Sequence, residues 1–439
     1  MTHDTPARLL IFEPDPRGHA LEWLQHLVRY ASGRPSFRLS LAVPDPLARD
    51  IRTWMVATGI GDAAELRPLT PREFELCMDR RLAVSGLARW WTMRRHLKES
   101  DAAEGLFLGI DHLSLPLAAG LGFGGRKVSG ILFRPSVHYG PGDTPRHPRQ
   151  RARERIRDMR KRLLYRAMLR NPAVETVFSL DPWFPAHGAA RYGRGDKLRP
   201  LADPASPPAK AEAADVARNP FPHGRMAFLL FGVLTERKGL LVLLEALMRL
   251  PPEIARQMAV AIAGKIEPGL LTAVAARKTA LARAQPELWL RIDDRHQTNE
   301  ELSTLTQCCD VVLAPYQRFV GSSGIAVRAA TAGKPLITQD YGLLRKQTED
   351  YRLGAVCDTT DADALASAIG DAVRAGHGML GDPAGIARFL AGRTPDDFAG
   401  HLLEPFIYRN TGTAAARPAD AAEIPAMDWS RARPTRSHR

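Results

Sequence analysis

Short apolar runs alternate with stretches of helical periodicity along most of the chain. In the first half, strands are predicted at 8–12, 37–43, 106–110, 128–133 and 174–180. A helix is predicted at 20–30, directly after the first strand. Strands that alternate with helices favour a parallel sheet with helices on both faces. The first half therefore predicts a doubly wound α/β domain.

The pattern stops between Asp203 and Arg225, where Pro and Ala replace the apolar period and indicate a linker. A second series follows, with strands predicted at 226–231, 258–263, 288–292, 311–314 and 336–338. Helices are predicted at 240–250, 300–308 and 325–332. We expect two domains that face each other across a cleft, with ligands beyond the carboxyl ends of the strands.

The predicted boundaries divide the chain into five parts. They are an N-terminal domain at 1–205, a linker at 206–224, a C-terminal domain at 225–390, a helical segment at 391–410 that can return to the first domain, and a disordered tail at 411–439. A chain of 439 residues is long enough for two such cores.

The net charge and the cysteines indicate which kind of partner and which cellular compartment to expect for this protein. The net charge of +13 indicates an anionic partner: phosphate groups, an acidic lipid surface or nucleic acid. No apolar run approaches the length of a membrane span. None of the four cysteines has the pair spacing of a metal ligand, and no metal-binding carboxylate pair is evident. We expect a cytoplasmic protein.

The stretch at 149–170 is strongly basic and carries an apolar helical face. That face consists of Ile156, Met159, Leu163 and Leu164. Two interpretations stay open: a charged helix packed on its own domain, or a helix on an anionic membrane surface at the inner face of the membrane. Trp90 and Trp91 would extend that surface or simply pack. Specific nucleic-acid binding is not favoured, because only Tyr165 interleaves the charges.

Two segments of the second half carry candidate chemistry. In the first, a strand ends at Gly232 and a loop leads through Arg237 to Lys238 at the start of a helix, which suits an anion site. The alternative is a solvated loop pair. In the second, a Gly/Ser loop enters a short helix that Ser322 or Ser323 can cap, and Gly324 permits close approach of a ligand. The alternative is an ordinary connection.

An Asp310–Pro315 strand lies between these two segments, and Gly-Lys-Pro-Leu-Ile and then Tyr341-Gly342 follow them. In this order, the segments resemble the donor domain of the family 4 glycosyltransferases. These are retaining enzymes of GT-B fold. Gly18-His19 is similar to the family's glycine loop. The resemblance extends over roughly residues 8 to 408. It implies that a nucleotide-diphosphate sugar is the co-substrate, with no further cofactor and no metal.

The resemblance also implies roles for individual residues. Lys238 would contact the donor diphosphate, and the amides around Ser323, Gly324 and Ile325 would cradle the same phosphates. Gly18 and His19 would lie on the acceptor side. His138 follows a strand and is a candidate for the catalytic region, with a structural role as the alternative. His112 is a weaker candidate on the same argument.

Three positions depart from the family. Val233 stands where an arginine usually follows the first glycine, and Arg237 could replace that charge. Val320 and Arg328 occupy the positions of two glutamates that contact the transferred sugar and the ribose. An arginine has no lone pair to accept a ribose hydroxyl. Either Ser322, Ser323 and Arg328 bind the donor differently, or catalysis has been lost.

The sequence thus predicts a retaining hexosyltransferase with a glycan or lipid-linked acceptor, acting in surface polysaccharide synthesis. The alternative is a non-catalytic GT-B scaffold or nucleotide-binding subunit of a glycan-assembly complex.

Overall fold

The computed structural model describes residues 6–34, 36–135, 139, 148–206, 219–376 and 380–411. Its first sheet has seven parallel strands in the order β3-β2-β1-β4-β5-β6-β7. The strands are β1 (Ala7–Phe12), β2 (Phe37–Val43), β3 (Ala64–Pro68), β4 (Glu104–Phe107), β5 (Lys127–Leu132), β6 (Val174–Ser179) and β7 (Leu198–Pro200).

Helices cover both faces of this sheet, and a buried apolar cluster fills each interface. The helices are α1 (Ala20–Ser32), α2 (Asp45–Ala57), α3 (Pro71–Cys77), α4 (Leu82–Glu99), α5 (Ser114–Ala118), α6 (Pro148–Arg170) and α7 (Phe184–Tyr192).

The second sheet has six parallel strands in the order β10-β9-β8-β11-β12-β13. The strands are β8 (Met226–Phe231), β9 (Met258–Ala263), β10 (Trp289–Asp293), β11 (Val311–Ala314), β12 (Leu336–Gln339) and β13 (Gly354–Cys357). The helices are α8 (Leu240–Met248), α9 (Pro252–Ala255), α10 (Leu271–Ala284), α11 (Asn299–Cys308), α12 (Gly324–Thr331), α13 (Gly342–Tyr351), α14 (Ala362–Ala375) and α15 (Pro383–Leu390). Two further apolar clusters fill the faces of this sheet.

The last helix, α16 (Pro395–Thr411), packs against α1 of the first domain. The ring of Phe398 lies 4.8 Å from the ring of Trp23. At its far end, Arg409 Nη2 lies 2.6 Å from Glu104 Oε2. The chain therefore passes from the first domain to the second and back again.

The two passages lie side by side. The backbone N–H of Ala205 donates to the carbonyl of Arg393 at 2.6 Å. The buried Arg393 side chain donates from Nη1 to the carbonyl of Asp203 at 3.2 Å. One small hydrogen-bonded junction thus joins the outgoing and returning segments.

The predicted fold class, two doubly wound α/β domains, is confirmed. The largest error in a predicted strand is at 106–110, because β4 spans Glu104–Phe107. Each of the other predicted strands agrees with the structure to within one residue at either end. Residues 111–113 then form a 3-10 turn. No helix in the described ranges is both long enough and apolar enough to span a bilayer.

Candidate functional site

The lysine loop begins where β8, buried along its whole length, ends at Gly232. Residues 236–238 form a 3-10 turn, and α8 starts only at Leu240, so Lys238 precedes the helix and does not open it. Gly239 has φ +72°, and a Cβ there would lie 1.9 Å from the carbonyl oxygen of Pro315. Only glycine fits this close approach. Lys238, directly before it, is buried, with 9% of it exposed.

A chain of hydrogen bonds joins Lys238 to the second predicted segment. Lys238 Nζ donates to Tyr316 Oη at 2.8 Å, and Tyr316 Oη lies 2.8 Å from Ser323 Oγ. Burial lowers the pKa of Lys238, and the hydrogen bond to Tyr316 opposes that shift. Within the described residues, no carboxylate pairs with the ammonium group. A buried cation of this kind favours an anionic ligand.

The start of α12 lies at the other end of this chain. Ser323 is the residue before the helix, but no side chain caps it, so the predicted cap by Ser322 or Ser323 is wrong. The Ser323 hydroxyl is used by Tyr316, and Ser322 Oγ donates to Asp203 Oδ2 at 2.9 Å. Among the described residues, the N–H groups of Gly324 and Ile325 find no acceptor. Such a helix start can receive a phosphate.

The Gly18-His19 loop of the first domain meets α12 across the cleft. A Cβ on Gly324 would lie 2.8 Å from His19 Cε1, so the imidazole lies directly against the helix start. The exposed His19 ring stacks on Trp23 with 5.6 Å between ring centres. Gly18, in the loop directly before α1, has φ +70°, a conformation that glycine adopts without strain. The structure thus brings the two predicted loops together.

Arg328 takes no part in the Lys238–Tyr316–Ser323 chain. It lies one turn beyond the start of α12, and its Nη2 donates to Asn299 Oδ1 at 3.1 Å. Burial lowers the pKa of its guanidinium, and Glu22 of the first domain opposes the shift. Arg328 therefore faces a polar corner between α12, α11 and α1.

The remaining histidine candidates separate. His138 lies outside the described residues. Half-buried His112 lies with Nδ1 3.2 Å from Ser85 Oγ, and burial lowers its pKa, which favours the neutral ring. The adjacent Asp111 carboxylate accepts the backbone N–H of Phe133 at 2.9 Å. His112 and Asp111 thus hold neighbouring segments in place.

Sequence reasoning missed Tyr316 and Glu13, which lie in the cleft region. Tyr316 follows β11, and no sequence pattern showed that its hydroxyl would reach Lys238. Glu13 follows β1, and its Oε1 accepts the backbone N–H of Asp15 at 2.8 Å. Burial raises the pKa of Glu13 to about 7. An acidic residue just after the central strand was the available signal, because strand ends of such sheets form ligand clefts.

The apolar face of α6 points to solvent. Ile156, Met159 and Leu163 are 55%, 57% and 63% exposed. The helix packs on its own domain through other residues, Tyr165, Met168 and Leu169, which are buried. Residues 149–154 are described by backbone alone. The exposed face is apolar at its centre and basic at its margins.

The tryptophans of α4 differ from each other. Trp90 is half-buried, and its Nε1 donates to the carbonyl of Gly122 at 3.0 Å. Trp91 is 55% exposed. In the described part of the chain, no cluster of three His, Cys, Asp or Glu side chains could hold a metal ion.

A model of a known protein family matches most of the second domain. Residues 212–376 match the model of the family described as Glycosyl transferases group 1. This range contains Lys238, Tyr316 and the whole of α12. No curated protein sequence matches the chain.

Solved structures resemble both domains together. HepE of Anabaena, solved in complex with UDP, superposes with a TM-score of 0.60 at 14% identity, over 91% of this chain and 99% of that chain. Sucrose-phosphate synthase from Thermosynechococcus elongatus gives 0.62 at 15%, over 93% and 100%. WaaG, a glycosyltransferase involved in lipopolysaccharide biosynthesis, gives 0.57 at 15%, over 93% and 100%. The fold is the two-domain GT-B arrangement.

Proposed function

We propose that the protein is a retaining glycosyltransferase of family 4 that transfers a hexose from a nucleotide-diphosphate sugar to a glycan or lipid-linked acceptor. The observation that carries this proposal is the buried Lys238 beside the uncapped start of α12. The match of residues 212–376 to the glycosyl transferase model supports the same reaction class.

In the proposed reaction, the bond between the sugar C1 and the diphosphate oxygen breaks while a bond from C1 to the acceptor oxygen forms on the same face. The acceptor proton passes to the departing diphosphate. Lys238 and the N–H groups of Gly324 and Ile325 stabilise the negative charge that develops there. The reaction then needs no metal, and we expect transfer to persist in excess EDTA.

The acceptor would approach from the first domain. Gly18 and His19 border the start of α12, and His138 follows the same sheet edge in sequence. We propose that these residues contact the acceptor or the transferred sugar, while Gly232, Arg237, Ser322 and Arg328 border the donor in the second domain.

The test combines binding with turnover. A nucleotide diphosphate that binds only the native state raises its melting temperature, so a panel of such nucleotides identifies the base. With the sugar nucleotide so chosen, Lys238→Ala should lose on the order of 10²-fold in kcat/KM. Lys278→Ala, on the exposed face of α10, is the matched control. Unchanged turnover in Lys238→Ala would contradict the role of the lysine.

Val320 and Arg328 favour a second candidate: a scaffold or subunit that binds nucleotide without transfer. A protein that is stabilised by nucleotide diphosphates but neither hydrolyses nor transfers from any sugar nucleotide would support this alternative.

We further propose that the protein acts in surface polysaccharide synthesis and attaches peripherally to the inner face of the membrane through 149–170. The exposed Ile156, Met159 and Leu163 beside arginines support this attachment.

A further inference from the structure

Two arginines from opposite domains converge on one aromatic ring in the cleft. Arg134 follows β5 of the first domain, and Arg237 precedes α8 of the second. Their guanidinium carbons lie 5.8 Å and 4.4 Å from the ring centre of Phe319. Burial lowers the pKa of Arg237, and the charge of Arg134 adds to the shift. Two like charges held against the same ring favour an anion between them.

In the described part of the chain, no acidic side chain neutralises either guanidinium. The backbone N–H of Arg134 donates to Asp111 Oδ1 at 3.3 Å, and the carbonyl of Arg237 accepts from the N–H of Gln317 at 2.8 Å. These bonds fix the two backbones. Among the described residues, no carboxylate forms an ion pair with either side chain. Stacking on a ring leaves the edge of a guanidinium free to bind a carboxylate.

The arginine pair lies one aromatic layer away from the phosphate-facing lysine. Lys238 bonds to Tyr316, and the ring of Tyr316 stacks on Phe319 with 5.0 Å between centres. Arg237 lies nearer to Phe319 than to Tyr316, with its guanidinium carbon 4.4 Å and 5.7 Å from the two ring centres, whereas Lys238 Nζ lies 4.6 Å from the centre of Tyr316. An anion at the pair is therefore a different group from one at Lys238. Val320, which follows Phe319, brings no opposing charge.

We propose that Arg134 and Arg237 bind a carboxylate on the transferred sugar, so that the donor is a nucleotide-diphosphate uronic acid. This inference rests on the proposed function, because it assumes that Lys238 holds the diphosphate of a sugar nucleotide.

The test uses donor pairs that differ only at C6. UDP-glucuronate is compared with UDP-glucose, and GDP-mannuronate with GDP-mannose, by titration calorimetry, with UDP and GDP as references. For the base that the protein accepts, we expect the wild type to bind the nucleotide-diphosphate uronate about 10-fold more tightly than the neutral sugar nucleotide. Hydrogen bonds to charged groups are stronger than those to neutral groups. Arg134→Gln and Arg237→Gln should each reduce that preference several-fold. Arg38→Gln, an exposed change on β2, should retain it.

The outcomes separate this inference from the proposed function. Binding of the nucleotide and of the neutral sugar nucleotide without preference for the uronate overturns only the inference. A loss of nucleotide affinity in Arg134→Gln equal to its loss of uronate affinity also overturns it, because Arg134 would then bind the diphosphate. If the arginine pair binds a phosphorylated acceptor in preference to the uronate donor, the inference is overturned as well. Absence of any nucleotide binding overturns the proposed function itself.

Discussion

The hydroxyl of Tyr316 joins Lys238 of the lysine loop to Ser323 at the start of α12. We expect Tyr316→Phe to weaken nucleotide diphosphate binding by about 5- to 10-fold, because the buried Lys238 loses its hydrogen-bond partner. Calorimetry measures the affinity, and Tyr408→Phe on an exposed surface is the control. Equal affinity in both variants would show that the hydroxyl is dispensable.

The same variant has a pH signature. Burial already lowers the pKa of Lys238, and the bond to Tyr316 raises it. Nucleotide affinity should therefore fall as pH rises through that lowered pKa, since the ammonium loses its charge. In Tyr316→Phe the fall should move to lower pH. A fall at the same pH in both proteins would contradict the coupling.

Glu13 predicts a dependence of stability on pH. Its pKa is about 7 in the folded state against an ordinary 4.5, so the folded protein holds a proton that the unfolded chain releases between these values. The free energy of unfolding should then decrease as pH rises from 4.5 to 7, by at most about 3 kcal/mol for this group. In Glu13→Gln that decrease should be absent, as measured by urea unfolding across the window. The exposed Glu253→Gln should keep the wild-type profile.

Sequence could nominate Lys238, Ser323 and Gly324 because each follows a strand in a short loop with its own signal. It could not nominate Tyr316 or Arg134. Their roles depend on contacts across many residues of separation, between loops or between domains. The serine cap failed for a related reason, since Tyr316 and Asp203 take the two hydroxyls that a local pattern assigns to the helix.

At the scale of elements, the buried inner strands were predictable, but three of the four edge strands were not. β2, β8, β9 and β11 have the predicted bounds. Three of them, β8, β9 and β11, are buried along their whole length, which requires a continuous apolar run. β3, β7 and β13 were missed. They form sheet edges, where side chains are partly exposed and no such run is needed.

The exposed face of α6 gives a prediction at this scale. The protein should sediment with anionic vesicles and not with neutral ones, and less so at high salt, because screening shortens the reach of the charges. Changing Arg157, Arg160 and Arg162 to Gln should reduce this binding, at about 1 kcal/mol for each charge near the surface. Changing Ile156, Met159 and Leu163 to Ser should reduce it as well.

The control for α6 removes the same charge elsewhere on the first domain, by changing the exposed Arg52, Arg72 and Arg80 to Gln. Equal losses in the two arginine variants would indicate net charge alone. Equal sedimentation with neutral and anionic vesicles would contradict the electrostatic mechanism.

At the scale of the whole molecule, α16 makes the first domain depend on the end of the described chain. Phe398 is 1% exposed and packs on Trp23. Phe398→Ala should destabilise the first domain by about 3–5 kcal/mol through the cavity it leaves. Calorimetry should show the unfolding transition of the first domain at a lower temperature. The transition of the second domain should still rise in temperature when nucleotide is added. Tyr408→Ala, 59% exposed, should leave both transitions in place.

The junction of Ala205 and Arg393 has a consequence for how such proteins can be recombined. Since the chain crosses there twice, the unit that can be exchanged between relatives is not a contiguous half. A transplanted first domain must bring its own terminal helix, or the recipient's helix meets a surface that never evolved to receive it. Functional chimeras should therefore have two splice points, one at each crossing, and single-crossover hybrids should fold poorly even when each parent is stable.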